Sequence, residues 1–210
     1  MIPLMTATQH EALRSLRGEI MRSMPTAAHV FVPVCGDLTK ATPFRLLFVG
    51  RATRGYQEPD LATFIGARDR AEEIVRTHLT QRKSPFWQFI NGVLRGVLQE
   101  RGLSVADADI PDFMGWSNLV KIGDANANAP LASLKAQAAL CIEQLQREIK
   151  QMRPNAVILL TRDYGADEIL YPVFGREDWR QDVVMEDRVA FVNGGLNPGH
   201  RGGVKPGQCG

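Results

Sequence analysis

Trp116-Ser117-Asn118-Leu119-Val120-Lys121-Ile122, an Asn-rich loop to Pro130, an amphipathic run from Leu131 to Met152, then Pro154 and Ala156-Val157-Ile158-Leu159-Leu160-Thr161: this stretch decides the fold. It reads as strand, loop, helix, strand, a single βαβ unit. Strands joined by such a crossover lie parallel, and open parallel sheets present ligand sites at the carboxyl ends of their strands. Asn118, Lys121 and Thr161 fall at or near those ends. Within the helical run, Leu131, Leu134, Ala138, Ile142, Leu145, Ile149 and Met152 recur every three or four residues, which predicts a continuous buried stripe.

Upstream, Arg45 to Val49 follows Pro43 and reads as a fully buried strand. It runs into Gly50-Arg51-Ala52-Thr53-Arg54-Gly55-Tyr56-Gln57-Glu58-Pro59-Asp60. Small residues there let backbone approach a ligand, and the N–H groups can hold an anion; a plain connecting loop has the same composition. Thr8 and Glu11 fit a capping box, so a helix is expected from about residue 8 to 24, with His10 on its solvated first turn. Residues 29–36 contain Pro33 and read as an edge strand or extended arm.

Residues 61–80 read as a helix with Arg68, Arg70 and Arg76 on a solvated face, extended by Arg82 and Lys83. Ser84-Pro85 supplies an N-cap and a first-turn proline for the next helix, whose apolar face includes Phe86, Phe89, Ile90 and Leu94, with Trp87 in the core. Asp107, Asp109 and Asp112 lack the glycine and terminal glutamate of a calcium loop and read as a surface loop. Val189 to Val192 is the last strand, and the site is expected at the carboxyl ends of the strands, after Val49, Lys121, Leu160 and Val192; a Gly-rich tail, Asn193 to Gly203, follows and either carries a site or frays. The expected architecture is one domain over residues 1–210, with residues 1–40 as an amino-terminal helix and arm. Its fold class is α/β: a three-layer α/β/α arrangement around a mainly parallel four-stranded sheet.

The chain has 210 residues, 44% hydrophobic and 23% charged, which describes a folded globular protein. A net charge of +2 permits a nucleic-acid partner without arguing for one. Cys35, Cys141 and Cys209 are few and scattered, with no C-x-x-C pair, which argues against a disulfide framework or structural zinc. No signal peptide or membrane-spanning run is read, and a reducing cytoplasmic location is expected.

Taken together, residues 45–201 resemble the uracil-DNA glycosylase superfamily, in particular its family 4 branch, the iron–sulfur type. That branch carries a strand ending Thr-Asn-Val-Val-Lys-Cys, a loop with Asn and Pro, a helix with Cys, Leu and Ile, then Arg-Pro and an apolar strand. Here the corresponding residues are Ser117 to Ile122, Asn128 and Pro130, Cys141, Leu145 and Ile149, Arg153 and Pro154, and Ala156 to Leu160. The branch's first motif, Gly-Glu-Ala-Pro-Gly, is matched at Gly50 and Ala52, with Arg51 in place of the acid. Its final His-Pro is replaced by Asn197-Pro198, with His200 nearby.

The resemblance implies a flipped base held by Asn118 and hydrolysis of its bond to deoxyribose. Asn197, His200 or Arg201 would donate to the departing base, and Glu58 or Asp163 would place water. Gly50, Arg51, Ala52, Thr53, Arg54 and Tyr56 would line the pocket, with Lys121, Arg54 and Arg201 toward phosphates. Of the four cluster cysteines only Cys141 is matched, and Ile122 stands at another's position, so no cofactor or metal is expected. The expected partner is DNA carrying a damaged base, and the expected state is a monomer. Two other readings stay open: a base- or nucleic-acid-binding module of the same fold, and an unrelated hydrolase of small nucleotides or phosphoesters.

Overall fold

A computed structural model describes residues 1–40, 42–52, 58–81, 84–126, 128–161, 164–175, 180–183 and 188–193. The protein is α/β, built on a mixed seven-stranded sheet rather than the mainly parallel four-stranded one expected. In chain order its strands are β1 (Ile2–Pro3), β2 (Val34–Cys35), β3 (Leu46–Gly50), β4 (Met114–Asn118), β5 (Ala156–Leu159), β6 (Arg180–Val183) and β7 (Arg188–Asn193). Their spatial order is β1-β2-β4-β3-β5-β7-β6. The central three, β4, β3 and β5, are parallel, with Gly50 beside Asn118 and Val49 beside Leu159. Every residue of β3 and β4 is buried, the pattern expected of strands covered on both faces.

The helices are α1 (Ala7–Ile20), α2 (Phe64–Gln81), α3 (Pro85–Glu100), α4 (Leu131–Met152) and α5 (Tyr171–Phe174). α3 starts where its cap chemistry places it: Ser84 is the N-cap, its Oγ accepting from Trp87 N–H, and Pro85 opens the first turn. α4 spans the expected range and ends at Arg153 in the left-handed region (φ 49°), just before Pro154. Trp87 is buried edge-on against Trp116, with ring centroids 5.1 Å apart. The arginines of α2 pair with neighbouring acids, Arg68 with Asp69, Arg70 with Glu73 and Arg76 with Glu72, so that face is solvated as read. Asp107 to Phe113 forms a 3-10 stretch in which Asp107 meets Arg95 and Asp112 meets Lys40.

Several expectations are corrected. The strand read as Trp116 to Ile122 is β4, Met114–Asn118, so Leu119 to Ile122 lie beyond its end. The α1 cap is Thr6, not Thr8: Thr6 and Gln9 satisfy each other's backbone N–H groups, and Thr8 falls inside the first turn. The helix also stops at Ile20, before the expected residue 24. His10 is 3% exposed rather than solvated, because its side chain meets the edge of Phe64 where α2 begins. Residues 29–36 do not form an edge: β2 lies between β1 and β4, antiparallel to both. Pro33 sits just before β2, where its missing N–H removes no ladder bond.

The last strand is the largest correction. β7 is antiparallel to β5, with Asn193 opposite Ala156 and Val192 opposite Val157. Its carboxyl end therefore lies at the opposite edge from Gly50 and Asn118. The parallel return after β5 is made by β6, and β7 comes back antiparallel to it, between β5 and β6. Only residues 184–187 separate β6 from β7, too few for the crossover a parallel pair needs.

Candidate active site at the carboxyl ends of the parallel strands

The parallel register places Gly50, Asn118 and Thr161 together. Leu119 N–H donates to Gly50 O at 2.8 Å, and Val120 N–H to Arg51 O at 3.0 Å. Arg51 Nε donates to the carbonyl of Thr161 at 3.0 Å, tying the end of β3 to the segment leaving β5. Asn118 is 2% exposed and Thr161 fully buried. A Cβ on Gly50 would stand 2.6 Å from Asn118 Oδ1 and 3.5 Å from the Phe86 ring, so the glycine is what lets the amide and ring close over the strand end. Phe86, at the start of α3, was not foreseen as part of this cluster; from the sequence it read only as part of the helix's apolar face.

Lys121 is corrected from a phosphate contact to a buried structural charge. It and Glu148 of α4 are fully buried, with Nζ 2.8 Å from Glu148 Oε1. The same ammonium donates to Ser117 Oγ at 2.7 Å and Asn118 O at 2.6 Å. An ammonium has three protons, and three acceptors hold them here. Gln137 acts beside it: its Oε1 accepts from Ile122 N–H at 2.9 Å, and its Nε2 donates to Ile122 O at 3.0 Å.

These contacts expose a buried polar track on α4, consisting of Ser133, Gln137, Cys141, Gln144 and Glu148. The continuous apolar stripe read from the sequence is not borne out: of its members only Leu134, Leu145 and Met152 are buried, Ala138, Ile142 and Ile149 are partly buried, and Leu131 is 57% exposed. The track was legible as spacings of three and four residues; leucines at similar spacing masked it. Cys141 is fully buried, its Sγ 3.5 Å from Gln137 Oε1, and burial pushes its thiol up to about 11. Tyr164 donates to Ala129 O at 3.1 Å, joining the turn after β5 to the loop before α4.

Glu58 is on the surface before the 3-10 turn Pro59–Ala62, and its carboxylate faces Arg70 at 4.0 Å. Ala52 is partly buried against the core. Thr53, Arg54, Tyr56, Asp163, Asn197, His200 and Arg201 lie outside the described residues, as do Arg82, Lys83 and Cys209. Among the described residues no group of three or more His, Cys, Asp or Glu side chains is arranged to hold a metal ion, and no helix is long and apolar enough to cross a membrane. No protein-family model, curated protein or solved structure matches the chain.

Proposed function

We propose that this protein is a uracil-DNA glycosylase-like N-glycosidase that takes a deaminated or otherwise damaged base out of DNA and hydrolyses its bond to deoxyribose. The observation that carries the reading is the Asn118 amide. It stands at the end of a central parallel strand, nearly closed from solvent, against a glycine that a side chain would block and an aromatic ring. A side-chain amide offers one acceptor and two donor protons, which suits the edge of a pyrimidine ring. The resemblance in residue order from Ser117 to Leu160 supports the same reading.

The finer architecture, three layers with helices on both faces, belongs to this proposal. Its support is that Trp116 packs on Trp87 of α3, while a Cβ on neighbouring Gly115 would meet Met152 of α4. Consecutive strand residues face opposite ways.

A binding module without cleavage is favoured by one observation. Where the resembled branch has an acid, this chain has Arg51, whose Nε is already committed to Thr161 O. A glycosylase assay separates the two readings. Purified protein is incubated with labelled oligonucleotides carrying one uracil, hypoxanthine or xanthine, single- and double-stranded. The proposal expects alkali-labile cleavage at the lesion, abolished in Asn118→Ala. Salt-sensitive binding with no abasic product selects the binding module. Activity on free nucleotides with indifference to DNA selects the small-substrate hydrolase.

A further inference from the structure

The polar track of α4 leaves an ion pair wholly inside the protein. Replacing such a pair by apolar residues of similar size is often neutral or stabilising, so stability alone does not explain it. Its geometry offers another reason. Nζ of Lys121 binds three acceptors at once, and one of them is the main-chain carbonyl of Asn118. The next peptide N–H, on Leu119, is held by Gly50 O, and both polar groups of Ile122 are held by Gln137. The peptide after Asn118 is therefore fixed at its oxygen and its nitrogen. That sets the direction of the Asn118 Cα–Cβ bond.

We propose that Lys121 and Glu148 are positioning residues, a buried clamp that aims the Asn118 amide at the base. The inference rests on reading Asn118 as the base-recognising group. Glu148 holds the ammonium, the ammonium holds the carbonyl, and the carbonyl fixes the backbone from which the Asn118 side chain projects. A misplacement of about 1 Å at such a group costs on the order of 100-fold in rate.

The test replaces the pair by apolar residues, Lys121→Met/Glu148→Leu, which removes both charges together. The expected variant stays folded at the assay temperature, yet its uracil excision falls on the order of 100-fold in kcat/KM. In an Asn118→Ala background, where excision is already abolished, the same double change causes no further loss of affinity for the uracil-bearing oligonucleotide. Full excision by a well-folded double variant, or a loss of affinity that adds to that of Asn118→Ala, overturns the clamp.

A second measurement needs no activity and leaves the Lys121–Glu148 pair intact. In wild type, the side-chain amide resonances of Asn118, assigned by their disappearance in Asn118→Asp, should show a rigid, exchange-protected group, in contrast to exposed Asn128. An Asn118 amide as mobile as that of Asn128 also overturns the clamp. If wild type excises no base while the Asn118 amide is rigid, the glycosylase reading fails and the clamp stands as a structural finding.

Discussion

Gly50 and His10 are the two residues whose surroundings make the sharpest demands. At Gly50 an added Cβ would sit 2.6 Å from Asn118 Oδ1. Gly50→Ala must therefore turn the amide away, and base excision should fall about tenfold or more. A melting curve run beside the assay separates this from general unfolding. His10 is a different case. Its Nε2 is buried with no hydrogen-bond partner among the described residues. Burial is the largest cause holding its pKa below 6.5, with Arg14 and His29 pushing the same way and Glu11 opposing. Above pH 6.5 both folded and unfolded states carry a neutral ring, and its contribution is fully present. As pH falls below 6.5, the unfolded chain takes up the proton first, so stability drops until the lowered folded-state value is passed. Urea midpoints measured downward from pH 7 should show this loss in wild type and a smaller one in His10→Leu. Equal slopes would mean that the ring is solvated in solution.

At the scale of elements, α4 contributes most, because one face packs on the sheet and a neighbouring track holds the site loop. Its end carries a cost: Arg153 is left-handed (φ 49°, ψ 56°), a conformation unfavourable for a residue with a Cβ. Its N–H still reaches Ile149 O at 2.8 Å, so the backbone geometry is worth keeping. Arg153→Gly should stabilise by about 0.5–1 kcal/mol, since glycine relieves the strain and loses part of that gain to chain entropy. The check is a denaturant midpoint that rises with unchanged slope. The caps of α3 and the length of α4 were legible beforehand, because caps and helical periodicity act within a few residues of sequence. The α1 cap was misplaced by two residues because Thr6 and Thr8 both offer a hydroxyl three residues before a Glu or Gln.

For the whole molecule, the core reaches every described cysteine. Cys35 and Cys141 are both fully buried, with thiols raised to about 12 and about 11, each chiefly by burial. Neither should react with iodoacetamide at pH 8 while the protein is folded, and both should react once it is denatured. Peptide mass spectrometry reads the two sites separately; rapid native labelling of either would show that the sheet or α4 opens there. The amino-terminal segment is bound into this same core. Leu4 N–H donates to Pro33 O at 2.7 Å, and Leu4 O accepts from Gln144 Nε2 at 2.7 Å, so β1 is stitched to both the sheet and α4.

The sequence by itself determined the βαβ unit that brings β4, α4 and β5 together, the buried strand ending at Gly50, and the gathering of Gly50, Asn118 and Thr161 at one end of the sheet. Each depends on hydrophobic period, strand length and the crossover rule, which are local. Tertiary structure alone decided the direction of β7, the burial of His10 against Phe64 and the fate of Lys121. A lysine after a strand reads as a surface charge until packing brings a glutamate from a helix beyond the next loop to meet it. A strand's direction, likewise, is set by which neighbour it pairs with, and that choice is made by the assembled sheet.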